Sequence, residues 1–208
     1  MAEARTLEGA LAQYGPAARA RLRPAFDAAH VAYPPARVWL LTLKDERRLE
    51  LWAQGRNAAA PRTFLKDYEV QAASGGPGPK RVQGDLQVPE GLYRILWLNP
   101  ASSYHLSMKV DYPNEFDRTH ARADKRTQLG GDIFIHGRDV SIGCVAMGDP
   151  AIEELFTLAH DAGVANVQAV IAPHDFRKRK PALGARPDPI WLPELYATLQ
   201  REMALFAR

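Results

Sequence analysis

The sequence holds a single cysteine, Cys144, in 208 residues. One thiol excludes a disulfide framework within the chain and a zinc site built on several thiolates. No run of about 18 apolar residues occurs, which excludes a transmembrane helix. Charge of one sign is not in excess either: 27 Lys and Arg stand against 24 Asp and Glu, a net charge of +3. That balance lacks the concentrated basic stripe of a nucleic-acid-binding surface, so no nucleic-acid partner is expected. Internal repeats and low-complexity tracts are absent. Residues Met1 to Gly9 lack the apolar segment of a signal peptide. Two expectations follow: a cytosolic protein, or an exported one whose signal is not in this chain.

What remains is the composition of an ordinary folded domain, 46% hydrophobic and 25% charged. At this length folding removes roughly 70% of the surface that an unfolded chain exposes, enough for one core without staples.

The hydrophobic pattern divides the chain. Leu11, Tyr14, Ala18, Leu22 and Phe26 recur near helical spacing and predict a helix from Leu7 towards Ala32 that Pro24 should end or kink. The run Val38 to Leu43, the polar turn Asp45 to Arg48 and the alternating Leu49 to Ala53 predict a β-hairpin. Further strands are expected at Phe64 to Ala72, Leu92 to Trp97, Tyr104 to Met108, Asp132 to Ile135 and Val167 to Ile171. Asp111 to Gln128 reads as polar connection with a turn at Tyr112-Pro113-Asn114. Asp149 is expected to cap a helix with Pro150 in its first turn and Gly163 past its end. A last helix is expected over Leu192 to Phe206, after a solvated basic loop Arg177 to Pro181. Trp39, Trp52 and Trp97 sit in strand patterns and are expected in the core. The fold class is therefore mainly β (α+β), with helices at both ends.

The segment from Gly131 to Asp149 carries the chemistry. His136 closes a short strand, and Cys144 follows eight residues later in a glycine-flanked turn. A histidine beside a cysteine can hold the thiol as thiolate, which is the nucleophilic form. Gly143 lets backbone N–H groups approach a developing oxyanion. On these residues alone, a buried inert cysteine is the commoner outcome. His105, His120 and His174 have no partners at metal-ligand spacing, so no metal is expected.

Ile135-His136-Gly137 followed by Ser141-Ile142-Gly143-Cys144 resembles the signature of the L,D-transpeptidase catalytic domain (YkuD-like) family. The segments Lys80-x-x-x-Gly84-Asp85 and Val88-Pro89-Glu90-Gly91-Leu92-Tyr93 are similar to the family's approach to a central strand. Asp111-Tyr112-Pro113-Asn114 with Asp117-Arg118, and Lys44 to Arg47 with Leu49-Glu50-Leu51, resemble its YafK-like branch. The likeness spans residues 36 to 175, which divides the chain into an N-terminal helical segment (1–35), a catalytic domain (36–175) and a basic loop with a C-terminal helix (176–208). The wider family has histidine where Ile142 stands, polar residues near Ala146 and Met147, and a longer interval between histidine and cysteine. The Ser-Ile-Gly-Cys form is shared with the YafK-like branch.

The resemblance implies a β-sandwich-like domain of YkuD type and cysteine-dependent acyl transfer on peptidoglycan. Cys144 would attack a meso-diaminopimelate carbonyl to give a thioester, resolved by an amine or by water. His136 would be the base. Gly143 and Cys144 would offer oxyanion N–H groups, with Ser141 and Gly137 in support; Ser141 could equally serve only its own turn. Arg138 could hold a substrate carboxylate, although a loop arginine is usually solvated. Tyr112 and Asn114 lie in the matched turn as candidate substrate contacts or as turn formers. No cofactor is implied. The implied partners are peptidoglycan stem peptides and a wall-attached lipoprotein, and the implied compartment is the periplasm. The competing readings are an amidase that releases the lipoprotein, a non-catalytic peptidoglycan-binding module, and a cytosolic thiol hydrolase.

Overall fold

A computed structural model describes residues 6–181 and 188–207. Helix α1 (Leu7–Ala28) opens on Thr6, whose hydroxyl accepts the Gly9 N–H at 3.0 Å. It runs unbroken through Pro16 and Pro24, against the break expected at the second proline. Both prolines face solvent, so the carbonyls they leave unpaired reach water. Packing supplies the rest. Ala10, Ala18, Leu22 and Phe26 are buried, and two arginine forks tie α1 down: Arg19 to Asp161 at 2.6 Å and Arg21 to Glu154 at 2.9 Å.

The strands are β1 (Arg37–Leu43), β2 (Arg48–Gln54), β3 (Thr63–Glu69), β4 (Ala72–Ala73), β5 (Gly91–Asn99), β6 (Ser107–Val110), β7 (Phe134–His136), β8 (Val145–Ala146) and β9 (Val167–Ala172). They form one mixed sheet in the order β3-β2-β1-β9-β5-β6-β7-β8-β4. The expected hairpin is β1–β2, antiparallel, with Trp39 opposite Trp52. β1 also pairs with β9 in parallel, Leu40 beside Ala169.

The continuous apolar run in β1 has a direct cause: this part of the sheet is covered on both faces. Val38 and Leu40 join one core with Leu22, Phe26 and Phe156; Trp39, Leu41 and Leu43 join a second with Trp191, Leu195 and Phe206. The second core is built by α4 (Leu192–Met203). Trp97, expected in the core, is 46% exposed and packs edge-on against Phe134.

The polar stretch after Asp111 contains a helix that its composition concealed, α2 (Glu115–Ala123). It starts on a capping box in which Asn114 and Asp117 each accept the other's backbone N–H. Helix α3 (Asp149–Ala162) carries its predicted apolar face, Ile152, Leu155, Phe156 and Ala159, and Gly163 follows it at φ 82°. Its cap is Gly148 rather than Asp149. The basic run after α3 is not wholly solvated: Arg177 is clamped between Glu50, at 2.8 Å, and Asp175, at 2.7 Å, whose side chains are fully buried. The fold is α+β, with four helices about a nine-stranded sheet among the described residues.

Candidate active site

Strand register brings His136 and Cys144 together. β7 and β8 are parallel, with Ile135 beside Val145 and His136 beside Ala146. Cys144 lies in the turn that leads directly into β8. Ile135 and Val145 belong to the core. Both His136 and Cys144 line a cavity of about 590 Å³. The interval of eight residues therefore spans one short crossover between adjacent strands.

His136 is 2% exposed. Its Nδ1 lies 2.6 Å from the Gly137 carbonyl oxygen. A carbonyl only accepts, so Nδ1 carries the proton and Nε2 keeps its lone pair. Burial lowers the imidazole's pKa, partly opposed by that hydrogen bond. Burial likewise raises the Cys144 pKa, opposed by the Phe134 N–H and the Lys109 charge. Both shifts favour the uncharged forms, a neutral imidazole and a neutral thiol. Cys144 Sγ donates to the Asp132 carbonyl at 3.6 Å.

The loop between the two strands is closed at both ends. Met147 N–H donates to the His136 carbonyl at 2.8 Å, and Gly148 N–H to the Arg138 carbonyl at 2.9 Å. The Asp149 carboxylate accepts the Arg138 N–H at 2.8 Å, so it serves this loop and not its own helix. Gly137 is required by packing: a Cβ there would sit 2.7 Å from Asp149 Oδ1 and 2.8 Å from the Tyr104 carbonyl. Gly143 is required by conformation, at φ 116°. Ser141 donates to the Cys144 carbonyl at 2.7 Å and accepts the Ser74 N–H at 3.1 Å. It fixes the backbone of the cysteine turn and ties it to the 74–90 segment.

That segment forms another wall. Asp85 gathers Lys80 at 2.6 Å, the Arg81 N–H at 2.7 Å and the Val82 N–H at 3.0 Å. These contacts outweigh burial and hold its carboxyl below the usual range. Lys44 and Glu90, paired at 2.9 Å and almost fully buried, anchor the same segment from beneath. Ile142, at 76% exposed, and Val140 and Leu86, each about half exposed, give the cavity an apolar rim.

The other candidates lie elsewhere. Arg138 lines a separate shallow depression with Glu69 and Gln71. Tyr112 is buried, its hydroxyl 3.2 Å from the Leu129 carbonyl. Asn114 caps α2 and donates to the Leu92 carbonyl at 2.9 Å. Tyr104 has no signal in the sequence, yet its ring lies 4.6 Å from the His136 ring. Among the described residues, no group of three His, Cys, Asp or Glu side chains is placed to hold a metal ion.

Comparison with known proteins gives a family and a fold. A family model described as the L,D-transpeptidase catalytic domain (YkuD) matches residues 37–170. A protein named "Putative L,D-transpeptidase YafK", from Escherichia coli (strain K12), is 36% identical over 141 residues, 65% of this chain and 54% of that protein. Its counterpart in Escherichia coli O157:H7 gives the same figures. The chain thus spans about half the length of the curated relatives it matches. Among solved structures, the helical cell shape determining protein Pgp2 from Campylobacter jejuni aligns with a TM-score of 0.51 and 22% identity, covering 66% of this chain and 48% of Pgp2. A point mutant of Pgp2 aligns with a TM-score of 0.52 and 20% identity, over 82% and 53% of the respective chains. At those identities the likeness is one of fold.

Proposed function

The chain belongs to the L,D-transpeptidase catalytic-domain family, and from that premise we propose that it transfers acyl groups on peptidoglycan through a thioester on Cys144. The observation that carries this reading is that His136, at the end of β7, and Cys144, directly before the parallel β8, line one cavity, with Nδ1 of the imidazole tied to the Gly137 carbonyl.

In the first half-reaction the thiol leaves the Asp132 carbonyl, and its proton passes to Nε2 of His136. The sulfur attacks the carbonyl carbon of a diaminopimelate residue in a stem peptide. Oxyanion charge develops beside the Gly143–Cys144 turn, whose backbone N–H groups are the nearest donors, the Gly143 N–H exchanging its long 3.4 Å bond to the Ser141 hydroxyl for the oxyanion. Collapse breaks the C–N bond, and the imidazolium returns its proton to the departing amine. In the second half-reaction an acceptor amine, or water, gives a proton to His136 and attacks the thioester, and the thiol is regenerated as it leaves. Two neutral partners suit this cycle, since the proton moves as the sulfur attacks. A peptidoglycan substrate is the support for a periplasmic location.

The test is covalent. A carbapenem incubated with the protein should add one equivalent of mass to wild type and none to Cys144→Ala. An equal adduct on both proteins overturns the assignment. Digestion of purified sacculi followed by chromatography then identifies the acceptor. New cross-links mean an amine, and shortened or released peptides mean water. A released lipoprotein fragment identifies the wall-attached protein as donor, and sacculi bound equally well by wild type and Cys144→Ala, with no turnover by wild type, identify a binding module.

A further inference from the structure

The ring of Tyr104 lies against the imidazole of His136, centroids 4.6 Å apart at 34°, and lines the same cavity as Cys144. Tyr104 is in no strand; it sits in the turn before β6, and that turn is held under constraint. His105, the next residue, has φ 71°, a left-handed conformation that a non-glycine residue keeps only when its surroundings fix it. The surroundings do so from two helices. His105 Nε2 is 3.0 Å from Glu153 of α3, whose other oxygen takes Arg21 of α1 at 2.9 Å. The His105 ring also meets Tyr14 of α1 edge-on at 4.8 Å. On its other side the turn runs close to Gly137: the Tyr104 carbonyl and His105 Cβ would lie 2.8 and 3.0 Å from any Cβ placed there. Helix α1 lies wholly outside the segment 37–170 that matches the catalytic family.

From this geometry we infer that Tyr104 is a positioning residue that holds the His136 ring against the Gly137 carbonyl, and that α1 and α3 hold Tyr104 in place through His105. The chain from Tyr14 and Arg21 to the base is continuous contact: α1 to His105, His105 to its neighbour Tyr104, Tyr104 to His136. A buried imidazole with a single hydrogen bond at Nδ1 can swing about Cβ–Cγ unless a surface closes one face. The Tyr104 ring is that surface. An accessory helix thereby sets which nitrogen of the catalytic imidazole faces the thiol. The inference rests on His136 being the base.

The experiment reads the tautomer directly. Nitrogen-15 NMR of histidine-labelled protein at about pH 8, where histidine is ordinarily neutral, assigns the His136 signals by their loss in His136→Ala. Wild type should show a protonated Nδ1 and a bare Nε2. Tyr104→Ala should move both nitrogens toward averaged values, and Tyr104→Phe, which keeps the ring, should restore them. His105→Ala should move them in the same direction as Tyr104→Ala. Iodoacetamide labelling of Cys144, the chain's single thiol, should slow about tenfold in Tyr104→Ala and not in Tyr104→Phe. A Tyr104→Ala protein with wild-type nitrogens and labelling rate overturns the positioning role, as does a Tyr104→Phe protein as defective as the alanine variant. Wild-type nitrogens in His105→Ala overturn the link to the helices. Labelling indifferent to His136→Ala overturns both the base and this inference; labelling that depends on His136 but not on Tyr104 overturns the inference alone.

Discussion

The Asp149 carboxylate accepts the backbone N–H of Arg138 at 2.8 Å. The first residue of helix α3 thereby clasps the chain two residues beyond His136, and the Gly148 and Met147 N–H groups close the same loop onto Arg138 and His136. The distance along the chain between His136 and Cys144 is thus turned into fixed geometry by a helix start. A carboxylate that would ordinarily favour its own helix N-terminus instead holds the loop between His136 and Cys144.

Gly137→Ala tests that clasp. The added Cβ would meet a carboxylate oxygen and a carbonyl oxygen, both under 3.0 Å, and neither is the free end of a flexible chain. The loop must open, at a cost of about 1–3 kcal/mol as for other overpacked sites. Thermal unfolding should show a lower midpoint, and carbapenem acylation of Cys144 should slow by more than the loss of folded protein accounts for. Wild-type values for both would mean that the loop is not closed as described.

The pH dependence of acylation follows from two shifts of opposite sign. Burial lowers the His136 pKa, so the imidazole stays a neutral base to a pH below the ordinary histidine value of about 6.5. Burial raises the Cys144 pKa, so the thiol keeps its proton above the ordinary value of about 8.5. The rate of carbapenem acylation should therefore be flat between those values, falling only on the acid side of the histidine range. His136→Ala should be slower at neutral pH by about 10²–10⁴-fold and should climb with pH, since only thiolate then reacts. A wild-type rate that rises steadily through pH 7 to 8.5 would contradict the neutral pair.

Asp117 gives a stability prediction. Burial pushes its pKa up to about 6, even though the Asn114 N–H and the Tyr93 hydroxyl favour the charged form. The folded state then binds this proton more tightly than the unfolded chain, whose aspartates titrate near 3.9. Its contribution is most favourable below about pH 3.9, declines as pH rises to about 6, and is constant beyond. Asp117→Asn keeps an oxygen for the Asn114 N–H and removes the charge. Above pH 6 it should be more stable than wild type by on the order of 1–3 kcal/mol, with that part of the pH dependence gone. Denaturant midpoints measured from pH 4 to 7 check this; parallel curves for the two proteins would refute it.

What the sequence determined by itself is what local pattern encodes. The run Val38 to Leu43 and the turn after it specify a hairpin, the apolar spacing of Ile152, Leu155, Phe156 and Ala159 specifies α3, and the order His136-Gly137 then Ser141-x-Gly143-Cys144 carries the resemblance to the family whose model matches residues 37–170. Each is a relation among residues close in the chain, where period and turn chemistry act directly. Relations across the chain were not legible. Pro24 ends an isolated helix, yet α1 continues because Arg19 and Arg21 find acidic partners more than a hundred residues away. The 115–123 segment is too polar to announce a helix, and only its capping box, Asn114 with Asp117, gave a signal. The protonation of the site, the loop-fixing role of Ser141, the clasp by Asp149 and the stacking of Tyr104 depend on burial and contacts that exist only once the sheet has closed. Chemical identity of the reacting groups is a property of the chain; their pKa values and orientation are properties of the packed environment, because both are set by which distant atoms displace water around them.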